Sequence, residues 1–130
     1  MKLSANVQQA AAYTPVRTIV SDVLQELKGS DDALRTLLLQ SAVLREFDAE
    51  ALSRLARRPD EGPKLLEAVT LYLPAEQIGD NIFRYDEFTR QVLLDVAAHE
   101  NEQLLVEAAR IAADCYQEKA ATARDAAQRQ

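Results

Sequence analysis

The positions of glycine and proline constrain the fold of this chain more than any other feature. Three glycines and four prolines occur among its 130 residues. Both residue types are unfavourable inside helices and common at helix ends. Each one stands where an apolar pattern of helical spacing begins or stops, which predicts a succession of helices joined by short links. These positions are Pro15, Gly29, Pro59, Gly62, Pro63, Pro74 and Gly79.

The segments between these breaks carry apolar residues at three- and four-residue spacing, the pattern of amphipathic helices. Thr14 and Pro15 predict the start of the first helix, and Gly29 its end. Further starts are predicted at residues 30–32, Asp48 and Pro63. Ala75 to Ile78 are expected to add one more helical turn after Pro74.

The segment from Asp80 to Gln130 contains neither glycine nor proline. A single straight helix of that length would extend about 75 Å, whereas a compact domain of this size has a radius of gyration of about 14 Å. The segment must therefore break. We expect the break at residues 99–101, where polar residues interrupt the apolar stripe and Asn101 can cap a new helix.

The predicted fold class is all-α: a compact bundle or array of about five to six antiparallel helices with short links and a long last helix. One domain is expected over residues 1–130, with a flexible or weakly helical segment at 1–13 and a fraying helix end at 118–130. The core is expected to contain Ile19, Val23, Leu27, Leu34, Leu37, Leu38, Leu66, Val69, Phe88, Val92 and Leu105.

The net charge of −6 is concentrated in the second half of the chain. Residues 61–130 carry seven Lys and Arg against thirteen Asp and Glu, whereas eight of each cancel in residues 1–60. An acidic surface repels phosphate backbones and anionic lipid, so we expect neither nucleic acid nor membrane among the partners. No secretory signal or membrane span is recognisable, and the expected location is the cytoplasm.

Candidate catalytic and metal-binding side chains are few. His99 is the single histidine and Cys115 the single cysteine. Asp95, His99 and Glu102 would share a face of an unbroken helix, but a polar helix break explains them better than a metal site does. Cys115 lies on an apolar stripe, where a thiol acts as a small hydrophobe. We therefore expect no enzyme, no metal and no cofactor.

Two groups of residues remain as candidate binding sites. The first, which we call the C-terminal stripe, is an apolar face of the last helix and predicts a helix–helix interface with a protein partner, most simply a second copy of the chain. It comprises Leu104, Leu105, Ala108, Ile111, Ala112 and Cys115. The second, the basic cluster, surrounds Pro59 and suits an anion or an acidic partner. It comprises Arg54, Arg57, Arg58 and Lys64.

The leading functional hypothesis is a non-enzymatic helical interaction module, such as a small adaptor, regulator or assembly subunit, that self-associates. The alternative is a small-ligand-binding domain with an apolar pocket between helices and the basic cluster at its mouth. An enzyme is the hypothesis with least support, because the clustered motifs that carry catalysis are absent from the sequence.

Overall fold

The computed structural model describes the backbone of residues 5–128 and the side chains of residues 15–124. The expectations for residues 1–4 and 129–130 lie outside this part of the chain. Six helices and one β-hairpin follow one another in it, which confirms the all-α prediction with a long last helix. The elements are α1 (Ala5–Leu27), α2 (Asp32–Ser41), α3 (Ala49–Ala56), α4 (Gly62–Tyr72), β1 (Ala75–Gly79), β2 (Ile82–Tyr85), α5 (Glu87–Glu100) and α6 (Glu102–Gln128).

Aspartate side chains cap three of the helices. The carboxylates of Asp31, Asp48 and Asp86 each accept a hydrogen bond from the backbone N–H three residues later, at 2.9–3.1 Å. These bonds satisfy N–H groups that the first helical turn leaves without partners. The break between α5 and α6 lies at Asn101, whose side-chain oxygen accepts from the N–H of Gln103 at 3.1 Å. The expected position of this break is thus confirmed.

The first helix begins earlier than the sequence predicted. It runs from Ala5 through Pro15 to Leu27, so the prediction that Pro15 starts it was wrong. Proline removes one backbone donor and strains the preceding turn, but it does not always end a helix. Alanine has the highest helix propensity of any residue type, so the run Ala10 to Ala12 favours continuation of the helix into Pro15.

The segment after Pro74 is a strand and not the expected helical turn. Residue 73 precedes the proline in an extended conformation (φ −127°, ψ 143°), as the proline ring requires. The strand β1 pairs with β2 in an antiparallel hairpin, with Gln77 opposite Phe83. Asn81 occupies the left-handed region (φ 57°) at the tight turn between the strands.

A third extended segment joins this hairpin. The backbone N–H and C=O of Phe47 both bond to Phe83, at 2.8 and 2.9 Å. The chain order from α2 to β2 is therefore helix, short extended segment, two helices and a hairpin. Of the remaining helices, α1 packs on α2 of this unit and on α5, while α6 packs on α2 and α3 of this unit and on α5.

The core lies between α2 and the helices around it. Seven of the residues expected there are buried: Leu27, Leu34, Leu37, Leu38, Leu66, Val69 and Val92. Val23, Phe88 and Leu105 are partly buried. Ile19 was predicted wrongly, since its side chain is 47% exposed. The face of α1 that meets the core is centred one residue further on, at Val20 and Leu24.

Within the described residues, we find no helix with the length and apolar character needed to cross a membrane.

Candidate functional site

The outer face of α4 is the most conspicuous uncovered part of the domain. The helix buries Leu65, Leu66 and Val69. Its opposite face carries Lys64, Glu67 and Leu71, all exposed. The Leu71 side chain is 79% exposed, the largest value among the exposed large apolar residues of the described chain. One whole face of α4 is thus available to a ligand.

The position of α4 depends on a close contact with α3. A β-carbon added to Gly62 would lie 2.6 Å from the backbone oxygen of Ala49, closer than any carbon side chain tolerates. Glycine therefore allows the start of α4 to approach the start of α3. Pro63 follows in the first turn, where its missing N–H costs no helical hydrogen bond. Arg57 ends α3 in the left-handed conformation (φ 58°) and turns the chain toward α4.

The hairpin is fixed to the core by aromatic side chains. The rings of Phe47 and Tyr85 have centroids 4.9 Å apart, and those of Phe47 and Phe83 are 6.4 Å apart. The buried hydroxyl of Tyr85 lies 2.7 Å from Oγ of Ser41 on α2. Burial raises the pKa of Tyr85, and the hydrogen bond to Ser41 acts in the opposite direction. These contacts hold the hairpin beside α2 in a defined orientation.

The α4–hairpin surface is the name we give to Lys64, Glu67, Leu71, Pro74 and Ile78. It combines the outer face of α4 with the strand that directly follows it. Ile78 is 39% exposed, so two large apolar side chains lie open on consecutive elements. The two charged residues of α4 cancel, and the surface as defined carries no net charge.

The basic cluster is brought together only in part. Arg54 contacts Glu118 of α6 closely and Glu50 at 3.2 Å, and its proximity to Glu118 lowers the pKa of that carboxyl group. Arg58 pairs with Glu61 at 3.3 Å. Two of the four cations are therefore already paired with carboxylates. The other two members, Arg57 and Lys64, are exposed.

The C-terminal stripe packs within its own chain. Ala108, Ala112 and Cys115 are 0%, 4% and 6% exposed, and Leu104, Leu105 and Ile111 pack partly buried against the core. Their neighbours are α2, α3 and α5 of the same molecule. An interface through this stripe would require α6 to leave the domain.

The other candidate reactive residues lie apart from the α4–hairpin surface. His99 is exposed on α5, and its Nδ1 is 2.8 Å from the backbone oxygen of Asp95. Cys115 is buried, and burial raises the pKa of its thiol despite the nearby Arg54 guanidinium. In the part of the chain described, no group of three or more His, Cys, Asp or Glu is arranged to hold a metal ion.

Sequence reasoning missed the α4–hairpin surface. Leu71 lies two residues after Val69, about 200° around the helix from that core position. That spacing was the available signal that Leu71 faces outward. The hairpin carried a second signal in Gly79, Asp80 and Asn81, residues typical of tight turns.

Comparison with known proteins gives one match. A family model described as the MalT winged helix domain covers residues 20–105, from α1 into the first turn of α6. Neither the search of curated proteins nor that of solved structures returned a match.

The match corrects the partner prediction. Winged helix domains are variants of the helix-turn-helix, an architecture typical of regulators, and the second helix of that motif enters the major groove of DNA in many of them. The sequence-based expectation was a protein partner, most simply a second copy, with nucleic acid excluded. A family of this kind contradicts that exclusion, so the partner prediction was wrong as it stood. The excess of acid in residues 61–130 was too coarse a guide, because charge averaged over half a chain says little about one helix face.

Proposed function

The chain belongs to the MalT winged helix domain family, and from that premise we propose that it is a non-enzymatic regulatory module that binds another protein through its α4–hairpin surface. The observation that carries the proposal is the 79% exposure of Leu71 on the outer face of α4. The order of elements from α2 to β2 supports the family assignment independently. In it, α3 and α4 form the helix-turn-helix pair and the hairpin is the wing.

The charge of the α4–hairpin surface supports a protein as the ligand. On α4, Lys64 is balanced by Glu67 one turn later. Arg84 on the wing is paired with Glu76 at 3.1 Å. A neutral face with open apolar side chains is typical of the centre of a protein–protein interface.

The apolar content of the surface supports the same partner class. Burying a leucine side chain fully contributes about 1.5–3 kcal/mol, which makes Leu71 a candidate anchor. Pro74, in the link after α4, and Ile78, on β1, are further exposed apolar residues. Single exposed apolar residues are common, but several on adjoining elements of a binding architecture indicate an interaction site.

The absence of catalysis is part of the proposal. Its support is that His99 is exposed on α5 and Cys115 is buried with a raised pKa, on separate helices. Nucleophilic catalysis needs a thiolate and a base within hydrogen-bonding reach of each other.

The test is affinity capture followed by titration. Wild-type chain, Leu71→Glu and Ile19→Glu serve as baits in extract of the source cells, and every protein that the wild-type bait captures is purified and titrated against all three chains by calorimetry. We expect Leu71→Glu to weaken binding at least tenfold, because it removes a leucine that the partner would bury and introduces a charge in its place. Ile19→Glu is the matched control, since Ile19 is 47% exposed on α1, outside the surface.

Two results would overturn the proposal. One is a captured partner whose affinity is the same for wild type and Leu71→Glu. The other is submicromolar binding of duplex DNA at physiological salt, selected from a random library, that Lys64→Ala weakens and Leu71→Glu leaves unchanged. That second result would identify α4 as a reader of nucleic acid.

A further inference from the structure

An open cleft lies between α2, α3 and α4. Its volume is about 340 Å³, within the range of small-molecule sites. Four leucines, two from α2 and one each from α3 and α4, give it an apolar wall: Leu34, Leu37, Leu55 and Leu65. A cavity of this size and lining accommodates a ring or a short alkyl chain.

A buried amide lines the cleft. Gln40 is only 6% exposed, and its Nε2 donates to the backbone oxygen of Leu104 at 3.4 Å. A carbonyl can only accept, so the amide nitrogen must face Leu104, and the Oε1 of Gln40 is left without a hydrogen-bond partner among the described residues. Every fully enclosed side-chain N or O in that part of the chain has a partner, so this oxygen reaches accessible space, and Gln40 is among the residues that line the cleft. It is an acceptor suited to an O–H or N–H of a ligand.

A guanidinium group stands at the rim of the cleft. Arg58 lines it with a side chain that is 50% exposed, and its pairing with Glu61 at 3.3 Å is equally open to water. Exposed pairs of this kind are weak, so a carboxylate from a ligand can replace Glu61. The other charged group of the rim, Asp31, is engaged in capping α2, where it accepts from the N–H of Leu34 at 3.1 Å.

We propose that this cleft binds a small aromatic carboxylate that carries a hydroxyl group at the far end of its ring. The ring packs against the leucines of α2, α3 and α4. Its hydroxyl donates to Oε1 of Gln40 at the buried end, and its carboxylate meets Arg58 at the exposed end. The orientation of the ligand follows from exposure, since Gln40 is 6% exposed and the Arg58 side chain is 50% exposed. An apolar body with a few convergent polar groups is the usual composition of a ligand site.

The inference does not rest on the proposed protein partner. Ala68 of α4 lines the cleft and lies one helical turn from both Lys64 and Leu71, so the cleft borders the α4–hairpin surface. The titration uses the isolated chain without any partner, so its outcome is distinguishable from that of the capture experiment.

The test is a titration of the chain with three matched probes, followed by NMR of the leucine methyl groups. The probes are 4-hydroxyphenylacetate, phenylacetate, which lacks the hydroxyl, and tyramine, which replaces the carboxylate with an ammonium group. We expect 4-hydroxyphenylacetate to bind with a Kd on the order of 0.1–1 mM, a range consistent with its few non-hydrogen atoms. Phenylacetate should bind at least threefold more weakly and tyramine at least tenfold more weakly. The shifted methyl signals should belong to the four leucines of the cleft.

Variants at the rim make the assignment specific. Arg58→Gln should abolish the preference for the carboxylate over tyramine, and Ala68→Phe should fill the cleft and prevent binding of all three probes. Ala121→Phe is the control for the second variant, because Ala121 is exposed on α6 away from the cleft. Equal affinity for the three probes, shifts spread over the whole core, no shift at 10 mM, or an unchanged preference in Arg58→Gln would each overturn the proposal. Circular dichroism establishes that the variants are folded.

Discussion

At the scale of single residues, Gly62 fixes how closely α3 and α4 approach. We expect Gly62→Ala to lower the free energy of unfolding by about 1–3 kcal/mol, since the new methyl group meets backbone that cannot rotate away. The contact would be 2.6 Å, to the carbonyl oxygen of Ala49. Urea unfolding followed by circular dichroism measures the change.

Gly79→Ala is the control for this prediction. A β-carbon there would meet only the side chain of Ile82, at 3.5 Å, an ordinary contact distance. Its effect on the free energy of unfolding should be below about 0.5 kcal/mol. If both variants were equally stable, the close approach of α3 and α4 would have no energetic meaning.

Tyr85 predicts how stability depends on alkaline pH. Burial holds the pKa of its phenol above the ordinary value near 10. Above pH 10 the unfolded chain therefore releases this proton while the folded chain keeps it, and stability falls with a slope of up to about 1.4 kcal/mol per pH unit. Below pH 10 the contribution is constant.

The measurement compares Tyr85→Phe with wild type by urea unfolding between pH 8 and pH 11. At pH 8 the variant should be less stable by about 0.5–1.5 kcal/mol, because it lacks the hydrogen bond to Ser41. Above pH 10 the difference should shrink. If the two free energies of unfolding differed by the same amount at every pH from 8 to 11, the raised pKa of Tyr85 would be contradicted.

Local sequence signals predicted the role of a residue well where that role depends only on neighbouring residues. Asp48 caps α3 as expected, because a carboxylate before an apolar run needs nothing beyond its own turn. Ile19 was misplaced, because which of two neighbouring apolar residues faces the core depends on the rotation of α1 against α5. That rotation is a tertiary property. The outward position of Leu71 depends on the same kind of information.

At the scale of elements, α6 shows what an apolar stripe can and cannot predict. The pattern established that Ala108 and Ala112 pack against another surface, and both are buried. It did not establish whose surface this is, because an apolar face fits a second molecule and its own domain equally well. The short link at Asn101, which returns α6 against α2 and α3, decided the question.

This placement predicts a different effect for Ala108→Glu than an intermolecular interface would. The substitution puts an unpaired carboxylate into a fully buried site, and we expect the free energy of unfolding to fall by about 3 kcal/mol or more. Thermal unfolding measures it. Ala109→Glu is the matched control, since Ala109 is exposed on the same helix and should tolerate the change. Two equally stable variants would mean that the stripe does not pack within the chain.

The hairpin was the element that the sequence concealed. Its strands are four and five residues long, and β1 is mostly exposed, so no clean alternation of apolar and polar residues marks it. By its local sequence, the segment 75–79 is compatible with a helical turn. The hairpin is stabilised by pairing of Phe83 with Phe47, which lies more than thirty residues earlier in the chain. Short strands that depend on partners distant in the chain are the elements that are hardest to predict from local sequence.

At the scale of the whole molecule, the number and order of the helices were predictable, and their arrangement was not. Helix ends are determined by local residues such as Gly29 and Pro63. The winged helix arrangement depends on the hairpin and on the close approach at Gly62, neither of which follows from the helical pattern alone. Charge was the most misleading quantity at this scale, because the acid of the second half lies mostly outside α4.

Stability should be distributed unevenly over the molecule, and α6 provides the test. Its first half buries Ala108, Ala112 and Cys115, whereas residues 116–124 are all exposed. Two ion pairs, Arg54 with Glu118 and Asp48 with Lys119, join this second half to α3 and its cap. Exposed ion pairs contribute little, so the second half of α6 should open without the rest of the domain.

Hydrogen exchange followed by mass spectrometry measures this opening directly. Amides of α2 sit at the centre of the core and should exchange only through global unfolding, while amides of residues 118–124 should exchange at least about a hundredfold faster. Peptides from the first half of α6 are the internal control and should behave like α2. Equal protection along the whole of α6 in the isolated chain would show that something covers residues 116–124, since their contacts within the domain are too few to slow exchange to that extent.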